Sequence, residues 1–130
     1  MIAMREFLNR EALADTSGVS CWSCHRGQRR PPRVPTEAWE TIRKTRFAGS
    51  LASVPEDVQL TMAVYSASLG VECTHCHVEG AWTASTKVAH ATTARMNAMI
   101  VQLPKFLPDR ARTQCYMCHQ GASRPALAPR

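Results

Sequence analysis

The chain has 130 residues, 45% of them apolar, and a formal charge of +6 at pH 7. Its length fits one domain, or a small domain with an extension, and its longest apolar run is too short to span a bilayer. With three Phe, three Trp and two Tyr, and much of the apolar fraction supplied by Ala, the chain by itself predicts a thin core.

The basic excess alone predicts an acidic partner, a membrane surface or a nucleic acid. No charged-then-apolar opening resembles a signal peptide, so the chain reads as cytoplasmic or as the mature part of an exported protein. All six cysteines fall in C-x-x-C pairs. Structural disulfides seldom use such close partners so uniformly, so a disulfide framework is not expected.

In chain order, the N-terminal segment places Met1, Met4 and Leu8 on one helical face. Cys21-Trp-Ser-Cys24-His25 comes next, and then the Pro-rich linker "RRPPRVP". A short helix is predicted from about Thr36 to Phe47. In "SVPED", Ser53 as N-cap, Pro55 in the first turn and Glu56 three positions on predict a capping box. Val58, Met62, Tyr65 and Leu69 then share a stripe, and Gly70 suits the stop. Cys73-Thr-His-Cys76-His77 stands directly after it. A further helix is predicted from about Thr86 to Leu103, ended by Pro104, with Ala89, Met96, Met99, Ile100 and Leu103 on its apolar face. Cys115-Tyr-Met-Cys118-His119 closes the series. No strand pattern stands out, so the expected class is all-α.

Two of these stretches are copies of one unit. M-x-A-M, a connection, and C-x-x-C-H-x-G-x-x-R-P occur with Met1 20 residues before Cys21 and with Met96 19 residues before Cys115. The expected organisation is a half-module over residues 1–35, then a linker helix and full module over residues 36–130, forming one compact unit. The order predicts a chain that begins in the middle of a repeat.

C-x-x-C-H is the attachment signature of c-type haem. Two thiols at this spacing reach the two vinyl groups of one porphyrin, and the next residue turns its imidazole to the iron. Three copies that use every cysteine outweigh the alternatives. Zinc needs four N or S ligands and leaves the third pair and the three matching histidines unexplained. A thioredoxin-like pair needs a βαβ context. Three haem c groups are therefore expected, held by Cys21, Cys24, Cys73, Cys76, Cys115 and Cys118, with His25, His77 and His119 as proximal ligands. Their propionates add about six negative charges, which removes the case for nucleic acid. Covalent attachment in bacteria takes place outside the cytoplasm, so the expected location is periplasmic or extracellular.

The sixth ligand decides the chemistry of each iron. Outside the proximal set stand His75 and His90, together with Met1, Met4, Met62, Met96, Met99 and Met117. A methionine on a helical stripe ordinarily packs a core, but three irons here need partners.

The stretch from "LTMAVYSASLGVECTHCH" to "TTARMNAMI", with the tails "CHRGQRRP" and "CHQGASRP", resembles the tetrahaem cytochrome subunit of photosynthetic reaction centres and its non-phototrophic relatives. The resemblance covers most of the chain. It implies haems lying along helices, three irons with methionine on a preceding helix, and one bis-histidine iron. By position it implies Met62 for the haem at Cys73, eleven residues on, and Met96 and its counterpart Met1 for the module-closing haems.

This chain departs from that pattern in having three motifs, not four. The bis-histidine haem of the family resembles the one at Cys115, yet residues 5–20, where its second histidine belongs, contain none. That iron is left with Met96 (the favoured choice), Met99, His90, a group from another chain, or no ligand. Met4 is a weaker candidate. His75 is read as a surface residue, or as a ligand to a haem of a neighbouring subunit. Arg26, Arg29, Arg30, Arg33 and Arg124 lie just beyond the attachment sites, as a solvated face or as partners of propionates.

The expected function is single-electron relay without substrate chemistry, serving redox partner proteins: a reaction centre, or identical subunits of an extracellular cytochrome wire. The alternative is a multihaem reductase or peroxidase with an open haem at Cys115.

Overall fold

The computed structural model describes residues 1–108 and 111–129. It is all-α among the described residues, with one isolated bridge between Val78 and Ala81. The helices are α1 (Ile2–Phe7), α2 (Cys21–His25), α3 (Thr36–Lys44), α4 (Glu56–Leu69), α5 (Cys73–Cys76), α6 (Val88–Ile100) and α7 (Tyr116–His119). A π-helical turn, Leu8–Ala12, extends α1, and 3₁₀ turns cover Gly49–Leu51 and Leu103–Phe106.

The two M-x-A-M segments become α1 and α6, and they contribute to one apolar cluster. Phe7, Leu8, Leu13 and Leu103 form its buried centre, with Met4, Met96, Met99, Ile100 and Phe106 packed around it. Phe7 and Phe106 lie 5.2 Å apart, and Lys105 Nζ sits 4.4 Å from the Phe7 ring centre, a cation–π contact that covers the aromatic pair. The Asp15–Arg95 ion pair, 2.7 Å, ties the loop after α1 to α6. Arg95's hydrogen bond holds the Asp15 carboxyl below its ordinary pKa, although an exposed pair of this kind adds little to stability.

A second, smaller contact joins α3 to α4 through Ile42. Buried Gln59 braces it: its Oε1 accepts from Phe47 N–H and its Nε2 donates to the Val54 carbonyl, both at 2.8 Å. The thin core expected from composition is observed. Phe7, Leu8, Leu13, Ile42 and Leu103 are the buried apolar side chains among the described residues, while Val88 is 82% exposed.

Several local expectations need correction. Helix α4 starts at Glu56 with Pro55 at its N-cap and no side-chain cap bond, so the Ser53 capping box does not form. Pro55 already sets the entry φ, at −52°, and the chain enters without help from Ser53. Helices α3 and α6 stop at Lys44 and Ile100, short of Phe47 and Leu103. On α4 the fully buried residues are Gln59 and Ser68, and the predicted stripe of Met62, Tyr65 and Leu69 is only half-buried, with Val58 exposed.

Gly70 ends α4 as expected, at φ 63°, a conformation that costs an L-residue about 1–2 kcal/mol. Its second role has no signal in the sequence. Gly121 N–H donates to the Ser68 carbonyl at 2.9 Å, and a Cβ on Gly70 would overlap the Gly121 carbonyl oxygen. The end of α4 is thereby seated directly on the chain that leaves α7. Gly70→Ala should lower stability by about 2–4 kcal/mol through backbone conformation and overlap together. Gly80→Ala, where a Cβ meets nothing within 4 Å, should cost about 1 kcal/mol. Denaturant unfolding of the two variants checks the difference.

Candidate haem-attachment motifs

Each C-x-x-C-H sequence forms a single helical turn, and the residues just after it direct its histidine side chain. After the first and third motifs the chain turns through two left-handed residues in succession. Arg26 and Gly27 have φ 45° and 79°, and Gln120 and Gly121 have φ 52° and 81°. Glycine at the second position makes the reversal accessible, which accounts for the H-x-G of the repeat. The reversal brings a carbonyl back over each imidazole. His25 Nδ1 lies 3.0 Å from the Gln28 carbonyl oxygen, and His119 Nδ1 lies 2.9 Å from that of Ala122.

The second motif reaches the same arrangement by another route. The turn at residues 78–81, closed by Ala81 N–H donating to the Val78 carbonyl at 3.0 Å, returns the Trp82 carbonyl to within 2.7 Å of His77 Nδ1. In all three motifs Nδ1 is the hydrogen-bonded nitrogen, and Nε2 is left to bind a metal. A carbonyl behind the ring fixes tautomer and orientation in the manner of a metal-binding histidine. Burial also holds the His119 imidazole below its ordinary pKa, against the opposing effect of backbone groups at Ala122 and Ser123. That direction favours the neutral ring, the form in which an imidazole coordinates a metal.

The first and third motifs pack against each other. The contacts are reciprocal: Arg26 Nη2 donates to the His119 carbonyl at 3.4 Å, and Gln120 Nε2 donates to the Cys24 carbonyl at 3.3 Å. The two left-handed non-glycine residues are therefore the two that reach across, and the cross-contacts offset their backbone cost. The middle residue of each motif also matches. Ser23 Oγ accepts from Ser20 N–H at 3.1 Å, and Met117 Sδ from Gln114 N–H at 3.3 Å, so Met117 caps its own turn. Their counterpart His75 is exposed.

Cys24 and Cys118, 94 residues apart, are joined as a disulfide. No disulfide framework was expected, and this is the one bond among the six cysteines. The spacing within each motif carries no sign of it, because the bond joins two motifs that only the fold brings together. Cys21, Cys73, Cys76 and Cys115 are free, and burial pushes the Cys115 thiol up. A sulfur in a disulfide cannot also form a thioether, so attachment at the first and third motifs requires this bond to be reduced.

The distal candidates are dispersed. Met4, Met96 and Met99 pack against the apolar cluster between α1 and α6, and Met1 is 55% exposed. Met62 is half-buried on α4, a helix that packs chiefly on α3 and α7. His90, on the first turn of α6, has its ring centre 5.5 Å from that of His77. Among the described residues no three His, Cys, Asp or Glu side chains converge as a metal site. A cleft of about 500 Å³ lies between α3 and α4, lined by Ile42, Arg43, Glu56 and Leu60, away from every motif.

No protein-family model matches the chain, and no curated protein matches it in sequence. Haem-free protein should yield a Cys24–Cys118 cross-linked peptide that separates on reduction. Proteolysis and mass spectrometry without reductant check this, with Cys118→Ser expected to abolish the cross-link.

Proposed function

We propose that this chain is a tri-haem c-type cytochrome of the kind that resembles the tetrahaem subunit of photosynthetic reaction centres, relaying single electrons between redox partners. The observation that supports it most directly is the engagement of Nδ1 by a backbone carbonyl in His25, His77 and His119 alike. The two copies of the repeat and a third turn of different construction all engage Nδ1 of the histidine that follows a pair of cysteines. A structural role for these histidines gives no reason for that agreement.

The residues fit the group. Cys21 with Cys24, Cys73 with Cys76, and Cys115 with Cys118 would tether three haems, and His25, His77 and His119 would bind their irons. Haem supplies reversible one-electron chemistry at iron, tuned by axial ligands and burial. The chain's own contribution is to orient each imidazole through the carbonyl at its Nδ1. Arg26, whose buried Nε has no protein partner among the described residues, offers a charged donor suited to a carboxylate such as a propionate. The thin core also agrees with the reading, because three large planar groups are what so few buried apolar side chains would need.

A place beside a reaction centre and a place in an extracellular wire both suit a relay. Exposed His75, free of the capping role of Ser23 and Met117, is the feature that favours contact with another subunit. No helix among the described residues is long and apolar enough to cross a membrane.

Protein made in a host that attaches c-type haem should carry three covalent haems by intact mass, and two after Cys73→Ser with Cys76→Ser. Its reduced spectrum should be low-spin and unmoved by carbon monoxide. A haem-free product from that host would overturn the cytochrome reading. A carbon monoxide shift at one haem would replace the relay with the reductase or peroxidase alternative at Cys115.

A further inference from the structure

Helix α6 begins against the second motif, and it is held there from two sides. Lys87 Nζ, at its N-cap, donates to the Thr74 carbonyl. One turn into the helix, Thr93 Oγ1 lies 3.8 Å from Cys76 Sγ. Between these two anchors stands His90. Its ring centre is 5.5 Å from that of His77, and the two ring planes are inclined at 76°. Nδ1 of His77 is already committed to the Trp82 carbonyl, so the nitrogen it has left for a metal is Nε2.

Two imidazoles on opposite sides of one iron, each bonded at about 2 Å, have ring centres about 6 Å apart. The observed separation is within about 1 Å of that requirement, and axial histidines impose no fixed angle between their planes. Met62 makes the weaker case. Its helix packs chiefly on α3 and α7. The end of that helix is seated on the chain that leaves the third motif, through Ser68 and Gly70 against Gly121.

We infer that His90 is the second axial ligand of the haem tethered at Cys73 and Cys76, making that centre bis-histidine, with Met62 excluded from it. The inference rests on the proposed haem attachment. Since methionine opposite histidine raises the potential, this centre lies below an otherwise similar His/Met haem.

The test uses the fully loaded protein in its ferric state, read by electron paramagnetic resonance and near-infrared magnetic circular dichroism. Wild-type protein should show one bis-histidine signature. His90→Ala, still carrying three haems by mass, should lose it, turning one haem high-spin or His/Met. Met62→Ala should retain it. His90→Met, chosen to keep a ligand and the fold, should stay low-spin with a raised potential at one haem. In the two-haem protein with Cys73→Ser and Cys76→Ser, His90→Ala should change neither remaining spectrum. An unchanged bis-histidine signature in His90→Ala overturns the assignment, as does a spectral change in the two-haem background, which puts His90 on another iron. A wild-type protein without covalent haem instead removes the cytochrome reading, so the two failures are distinct.

Discussion

The fold depends on the close seating of three short pieces of chain: α2, α7 and the C-terminal end of α4. Their contact is made by backbone and small residues, not by large apolar side chains. Ser68 is fully buried, Gly70 has no room for a Cβ, and Gly121 N–H bonds to the Ser68 carbonyl. Around this seat Arg26 and Gln120 reach across to the opposite motif. With so few buried apolar residues elsewhere, close backbone approach takes on work that a larger core does in other domains of this size.

That seat ties the two repeat copies into one unit. The apolar cluster between α1 and α6 joins their Met-bearing segments, and the α2–α7 contact joins their C-x-x-C-H segments. The two copies are thus joined through both segments. Under the cytochrome reading, the same arrangement keeps the first and third attachment sites adjacent, which is what electron relay over short distances requires. It also explains why Cys24 and Cys118 are close enough to bond to each other. Proximity that serves a relay in the attached state makes a disulfide accessible in the unattached one.

The second motif stands apart in construction. It lacks the left-handed pair after its histidine and uses a turn to Trp82 instead. Its middle residue is His75, exposed, where the other motifs place a capping side chain. It also has α6 across it, bringing His90 to His77. Three motifs identical in their defining residues are thus set in two kinds of surroundings.

Whatever is settled within a few residues could be read from the chain alone. The all-α class came from periodicity and the end of α4 from Gly70. The three C-x-x-C-H motifs were legible for the same reason, since each is complete within five positions. Which motif meets which was set only by the folded arrangement: the Cys24–Cys118 bond, the placement of α4 on α7, and the nearness of His90 to His77. The second of those contacts depends on Ser68, Gly70 and Gly121 letting backbones approach. Small residues of that kind look in sequence like any helix end or turn, because what distinguishes them is the chain that lies against them.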